Sequence, residues 1–571
     1  MRVTNWPPSW PTWLMLLLLS FVILAPIIVG LGETIRAAFG FLPALGNNSF
    51  NLTSWQHLMS MPGLYSSLRL TLVTGMASTA IALTLALAGC LWVTKTSSKQ
   101  YSPNVLRQLT RPLLVPILAA PHAALAIGLA FLIAPSGWLS RLFSPWLTQW
   151  NLPPNVTSVQ DLWGISLIFG LVIKELPFLW VVCLVTLKKI QFQQHVSISQ
   201  SLGHSDLSAW VKVVIPQLYP LIRLPVLVVL VYGLSNVDMA QILGPNNPPT
   251  LAVETLRWYQ DANLEMILPA SSAALGLGLL IILGILFWEL GIYLLMRLNS
   301  SSARSGRRWP RADIITQAVT ALVPTTMLAG LMSLLILAIW SFTWRWSFPD
   351  AMPHSFSVTN WVKVFTTWPI ALQHSLFIAL ASSFLAIILC IAWLEVQDRF
   401  GGQIQRFTVW LIYLPLLIPQ IAFIYGLKVG FLNLGLNGAM VSVIWAHLLF
   451  VFPYVMLTMV DTWQAIDVRY LHVARSLGKT PWNCFWRIKI GMLLQVIGFA
   501  WAIGVSVSIS QYLPTLMIGS GKIESLTTEA ISLASGADRR LTGLYALLQT
   551  IVPLLAYATA LWAPRFFRLQ R

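Results

Sequence analysis

Charge is the scarcest thing in this sequence. Only 9% of its 571 residues are Asp, Glu, Lys or Arg, against roughly 25% in an ordinary soluble domain. A soluble chain of this length could not cover its surface so sparingly, so a soluble globular enzyme is excluded. Disorder is excluded as well, because 57% of the residues are hydrophobic and disordered chains need low hydrophobicity. Cysteine is nearly absent: Cys90, Cys183, Cys390 and Cys484 have no metal-ligand spacing and lie in or near apolar runs, where thiols serve as small hydrophobes. The sequence has no H-E-x-x-H, G-x-S-x-G or paired-Cys motif, so the common zinc, serine and thiol chemistries lack their residues.

What the chain has is long apolar runs, and with them the character of an all-α polytopic membrane protein. A helical span needs about 20 apolar residues, and the length allows about 12 spans. The runs fall at 13–31, 68–93, 113–133, 163–187, 217–243 and 267–295, then at 314–341, 373–394, 409–431, 438–460, 492–512 and 543–562. The first run is too long for a signal-peptide core and lacks an A-x-A-like cleavage site, so it reads as an uncleaved helix.

Acid is scarcer than base, with 18 Asp and Glu against 35 Lys and Arg, a net charge of +17. In a soluble protein that balance would point to nucleic acid. Here 23 of the 35 basic residues fall in the tails and alternate loops of one side, and 8 in the opposite loops. Cytoplasmic loops collect Lys and Arg, so the charge reports orientation, with both termini inside, and nucleic acid is not a partner. The 27 Trp suit anchoring at the membrane interface. Residues 296–313 are short, Ser-rich and basic, ending in SARSGRRWPRAD, and form the expected linker between a first unit, 1–295, and a second, 314–571.

The two units repeat one another. At an offset of 275, Gly203 falls on Gly478, Gly244 on Gly519 and Glu254 on Glu529. The proline-rich openings RPLLVPILAAP at 111–121 and YLPLLIPQ at 413–420 also match. An even number of spans returns the chain to its starting side, so both units insert in the same orientation. That predicts a pseudo-two-fold axis along the membrane normal, with a pathway between the halves.

The loops after the fourth and tenth spans are the most informative. They read HVSISQSLGHSDLSAWVKVVIPQL at 195–218 and YLHVARSLGKTPWNCFWRIKIGML at 470–493. In each, a short helical stretch leads to a Gly, Gly203 or Gly478, which supplies a left-handed C-terminal cap. Trp210 and Phe485 lie seven residues beyond the Gly. Nine residues after the Gly comes a hydrophobic-x-Ile step, Val213 and Ile215 followed by Pro216, and Ile488 and Ile490 followed by Gly491. A short, exposed amphipathic element of this kind suits docking into a groove on a soluble partner.

This pattern resembles the EAA loop, E-A-A-x3-G-x9-I-x-L-P, of binding-protein-dependent ABC importer permeases, and the resemblance covers nearly the whole chain. The fused form is similar to the permeases of iron(III), thiamine and related importers. The resemblance implies two parallel six-helix type-I permease repeats. It also implies that the loops carry coupling helices, with Ser197, Gly203, Trp210, Ile215 and Pro216 in one and His472, Gly478, Phe485, Ile488 and Ile490 in the other. The Glu position of the pattern holds Ser197 and His472, neither of which pairs strongly with a basic partner at neutral pH. Either Gly and apolar docking suffice, or the ATPase partner is matched to the change.

The chain has no nucleotide site of its own. Gly478-Lys479-Thr480 ends like a P-loop, but the earlier glycine is replaced by Val473; Gly521-Lys522 is followed by Ile523. The resemblance therefore implies a separate ABC ATPase subunit, in two copies, carrying ATP and Mg. A solute-binding protein would deliver a small polar solute of the thiamine-like, iron(III) or polyamine class across the inner membrane. No cofactor is expected on this chain.

Polar residues within spans are costly and usually face the bundle interior or water. Lys174-Glu175, Asp238, Glu289 and Lys428 are of this kind. The fifth span carries Asn236, Asp238 and Gln241, and by the 275 offset Asn236 matches Gln511, beside Ser508 and Ser510. These residues either line the translocation path or form a hydrogen-bond network between spans. The alternation of Ser506, Ser508 and Ser510 implies a broad polar surface or a break ahead of Pro514. His122, His374 and His447 read as packing histidines. A major-facilitator-like secondary transporter also has six plus six spans. It predicts a Gly- and Arg-rich loop after the second span, where the sequence instead reads KTSSKQYSPNVLRQL.

Overall fold

The computed structural model describes residues 10–98, 114–304, 312–400, 414–536 and 538–569. Most of the loop 94–112, the end of the basic stretch at 305–311 and residues 401–413 lie outside them. The chain is helical nearly throughout, as an apolar run in lipid must be, since a helix satisfies its own backbone polar groups. The first half contributes α1 (Trp13–Ala38), α2 (Leu64–Ser98), α3 (His122–Ile133), α4 (Ile165–Leu187), α5 (Phe192–Ser201), α6 (Ile215–Ser235), α7 (Asp238–Leu243), α8 (Leu251–Tyr259) and α9 (Ile267–Arg304). The second contributes α10 (Ala312–Ser341), α11 (Ile370–Phe400), α12 (Gln420–Asn433), α13 (Met440–Gln464), α14 (Arg469–Ser476), α15 (Ile490–Ile509), α16 (Leu513–Gly519), α17 (Leu526–Ala534) and α18 (Arg539–Leu569). The helices of the two sets correspond in order, α1 to α10 and so on to α9 and α18. A two-stranded antiparallel hairpin, Thr343–Arg345 with Ser355–Phe356, sits in the loop after α10.

Among the described residues, 11 helices are long and apolar enough to cross a membrane. The run read at 409–431 is the exception. Its described part, α12, has 14 residues and starts after Pro419, just as α3 starts after Pro121. Four segments differ in kind from the sequence reading, the first being the run 113–133, which is interrupted at Ala120 and Pro121 before α3 begins. The run 217–243 is not one helix: α6 ends at Ser235, Asn236 is extended, and α7 begins at Asp238. The run 492–512 ends its helix at Ile509, and α16 begins at Leu513. Residues 296–304, expected to begin the linker, continue α9 as helix.

Packing within the halves is matched: α2 lies on α4 and α6, and α11 lies on α13 and α15. Packing between them is reciprocal. The first helix of each half crosses over, α1 onto α12 and α10 onto α3. Small residues make this close approach possible. A methyl group added at Gly426 would meet the backbone oxygen of Gly30, and one at Gly128 that of Ser333. The crossing is fixed further by Trp445, whose Nε1 donates to Val22 O at 2.8 Å within a π-helical turn of α1. One apolar core runs through both halves. By contrast α9 is only 22% buried over its most apolar window, and Leu279, Leu283, Leu286 and Phe287 stand exposed on it, as a lipid-facing helix requires.

Candidate functional site

Two matched loops and one central cavity carry the residues singled out by the sequence. In the first loop α5 ends in a Schellman motif. Gly203 has φ +80°, its N–H donates to Gln200 O at 2.8 Å, and the His204 N–H donates to Ser199 O at 3.1 Å. The second loop repeats this bond for bond. Gly478 has φ +76°, donates to Arg475 O at 3.0 Å, and is followed by Lys479 donating to Ala474 O at 3.1 Å. Each loop then restarts on a capping hydroxyl. Ser205 Oγ accepts from Ser208 N at 3.4 Å, and Thr480 Oγ1 from Asn483 N at 3.3 Å. A π-helical turn follows in both, Trp210–Val214 and Cys484–Lys489, before α6 and α15. Pro216 therefore sits just after the π turn, at the start of α6. Ile215, Ile488 and Ile490 are half-buried at the foot of these helices.

Of the loop residues read from the sequence, Ser197, Gly203, His472 and Gly478 are exposed and the others are not. Trp210 is buried and packs against Phe192 at 6.2 Å between ring centroids, so it belongs to the loop's interior. Phe485 is half-buried beside Trp482 and Trp486. Ser197 and His472 are exposed. The apolar side chains on the surface are Ile198 and Leu202 in one loop and Val473 and Leu477 in the other, each at least 59% exposed. These are i, i+4 pairs that face one way on a helix, and they match at the 275 offset. The second loop adds exposed Trp482 and Trp486. It is also held by an ion cluster in which the buried Lys489 Nζ lies 2.7 Å from Glu395 and 2.6 Å from the exposed Asp398, over the Trp463 ring. In the first loop Lys212 Nζ donates to Ser302 O at 3.1 Å and Asn299 Nδ2 to Val211 O at 2.8 Å.

Between the halves lies a cavity of about 260 Å³. It forms where the helices break. At the first break Asn236 caps α7, its Oδ1 accepting from Ala240 N at 3.1 Å, while its Nδ2 donates to Tyr232 Oη and, at 2.7 Å, to Asp238 Oδ1. At the second, Ser510 donates to Ser506 O at 2.8 Å and Gln511 Oε1 accepts from Gln420 Nε2 at 3.1 Å. His122 and Gln420 open α3 and α12 at matching places, and His122 Nε2 lies 3.3 Å from Glu175 Oε1. Lys174 also reaches the cavity wall, but its ammonium is consumed by three carbonyls, Ile117 O at 3.0 Å, Leu118 O at 3.1 Å and Ala120 O at 2.6 Å.

Of the residues read as path-lining, Asn236, Asp238, Ser510 and Gln511 line this cavity. Ser508 and Gln241 do not. Ser508 Oγ bonds Ser382 at 3.2 Å and His447 Nδ1 at 2.8 Å, a contact between spans, and His447 completes its bonding through Thr515 at 2.9 Å. His447 is thus a packing histidine as expected, whereas His122 lines the cavity. Also missed were Tyr232, Tyr454 and Gln420; the matching Pro-His and Pro-Gln dipeptides at the two helix starts were the signal for His122 and Gln420.

The far end of α7 is fastened to α4. Gln160 N and Ser166 Oγ reach Leu243 O at 3.0 and 2.8 Å. Asp161 caps α4 here, accepting from Ile165 N at 2.8 Å and Ser166 N at 2.9 Å. Burial alone would raise the Asp161 carboxyl, but the bonds from Ser166 and Ile165 outweigh it and hold the group below the ordinary carboxylate range.

The loops and the cavity stand in a chain with close relatives. No family model matches it. It is 33% identical over 561 residues to the inner membrane ABC transporter permease protein YnjC of Escherichia coli, covering 95% of this chain and 96% of that protein. The spermidine/putrescine transport system permease protein PotC of Escherichia coli is 22% identical over 194 residues, 34% of this chain and 74% of that protein. A Salmonella typhimurium permease provisionally named for 2-aminoethylphosphonate transport is 26% identical over 211 residues, 36% of this chain and 77% of that protein. On the strength of the full-length match, the chain belongs to the inner-membrane permeases of ABC transporters.

Proposed function

We propose that this chain is the permease of an ATP-driven importer in which two copies of a separate ATPase dock on the loops around Gly203 and Gly478. Both loops and both termini face the cytoplasm in this reading, which the split of basic residues supports. ATP and Mg reside on the ATPase, and a solute-binding protein delivers a small polar solute to the opposite face. Closure of the ATPase pair rocks the halves and alternates access to the cavity between them. The single observation that carries the reading is the duplicated loop: the same Schellman closure, hydroxyl cap and π turn, each presenting an exposed apolar i, i+4 pair. The relatives named for spermidine/putrescine and for 2-aminoethylphosphonate transport support a solute that bears an amine.

The test is the double variant Gly203→Asp with Gly478→Asp. A side chain in the left-handed conformation costs roughly 1–2 kcal/mol per position, so each loop is expected to lose its closure without loss of the spans. Co-purification with the ATPase and ATP-dependent uptake should both fall at least tenfold. Unchanged association and uptake would refute the coupling assignment. Uptake that follows an ion gradient and ignores ATP would favour a secondary transporter instead.

A further inference from the structure

The central cavity is charged on one side only. Its fixed charges, among the described residues, are Lys174, Glu175 and Asp238, all from the first half. By the 275 offset Lys174, Glu175 and Asp238 fall on Leu449, Phe450 and Leu513 of the second half, and the polar groups that half brings to the cavity include the neutral amides of Gln420 and Gln511. The two acids are buried to 9% and 8% exposure. The one base is tied to three backbone carbonyls and offers no donor to a guest.

Each carboxylate is partnered through one oxygen. Glu175 uses Oε1, toward His122. Asp238 uses Oδ1, which takes both Asn236 and Tyr232. The second oxygen of each has no protein partner among the described residues. Two carboxylates thus face a cavity whose one lysine is tied to backbone carbonyls and whose histidine, His122, meets Glu175 alone, and a buried carboxylate with an oxygen left unpaired is unfavourable. A guest that brings one positive charge and hydrogen-bond donors satisfies both carboxylates. Tyr232, Tyr454, Tyr512 and Phe178 supply aromatic wall, which favours a cation as well. The volume, about 260 Å³, lies just under the usual lower bound of about 300 Å³ for ligand pockets, so the guest is small.

We propose that this cavity is a binding site for a small organic monocation, with Glu175 and Asp238 of the first half receiving the charge and the neutral amides of the second half facing its uncharged end. The site rests on the reading of the chain as a solute permease and gives that permease its charge selectivity.

The experiment uses the full chain in lipid nanodiscs and follows its thermal unfolding midpoint against added probes. Choline and ethanolamine are the cations, 3,3-dimethylbutan-1-ol is the uncharged isostere of choline, and 1,4-diaminobutane is the dication. Choline or ethanolamine should raise the midpoint with saturation at millimolar levels or below, and the uncharged isostere should not. Asp238→Asn and Glu175→Gln should each weaken that binding about thirtyfold or more, as loss of one partner of a buried charge pair does. Co-purification with the ATPase shows that these variants are folded. The proposal is overturned if choline and its isostere act alike, if neither monocation acts below tens of millimolar, or if the dication binds as tightly as the monocations. ATP-dependent uptake by the assembled complex without any preference for charge would overturn the cation site while leaving the transport reading intact.

Discussion

Lys174 and Glu175 are neighbours in sequence with different employments. The lysine fills the space below the break before α3 and satisfies the carbonyls that Pro121 leaves without a helical partner. The glutamate faces the cavity. Substitution should separate them. Lys174→Met strands buried carbonyls, each worth about 1–3 kcal/mol, and is expected to lower the unfolding midpoint markedly; Glu175→Gln keeps an acceptor for His122 and removes a buried charge, so the midpoint of the ligand-free protein should hold or rise. Equal destabilisation by the two would contradict this division. At this scale the sequence was partly legible. Charges inside an apolar run announce themselves, so Lys174, Glu175 and Asp238 stood out. Ser508 misled because a hydroxyl beside a helix break looks the same whether it points to a cavity or to His447. Trp210 misled because a large aromatic in an amphipathic loop reads as exposed, when it is the residue that closes the loop's own small core.

At the level of elements, the loops around Gly203 and Gly478 were legible where backbone geometry dictates the residue. A left-handed cap asks for Gly, so Gly203 and Gly478 were read as such; the hydroxyl caps Ser205 and Thr480 were not, although a helix start favours Ser and Thr. The π turns were not, since no residue type demands them. Nor was the docking face, because exposure depends on which side the following helix covers. The structure makes the second loop the richer surface: it carries Val473, Leu477, Trp482 and Trp486 exposed, against Ile198 and Leu202 in the first. Interface energy concentrates in large aromatic anchors. Trp482→Ala is therefore expected to weaken ATPase association by about 2 kcal/mol, and Leu202→Ala by less than half of that, measured by titrating the ATPase against nanodisc-held permease. Equal losses from both loops would show that docking ignores this asymmetry.

For the whole molecule, the repeat and its parallel orientation followed from the offset of 275 and an even span count. The crossing of α1 and α10 did not, because hydropathy is the same whichever neighbour a span takes. Only the glycines record it, and Gly30, Gly128 and Gly426 look like many others until their contacts are known. The crossing means that each half holds a helix of the other. A chain divided within 305–311 and co-expressed as two pieces is expected to co-purify as one complex, and Gly426→Leu, which forces α1 and α12 apart, to abolish that association. Pieces that fold and elute separately would argue against the crossing.

The bond from Trp445 to Val22 O joins residues 423 apart in the chain. Synthesis runs in one direction, so α1 is made before α12 and α13, and its face toward them stays uncovered until they arrive. Its own apolar character makes that wait tolerable.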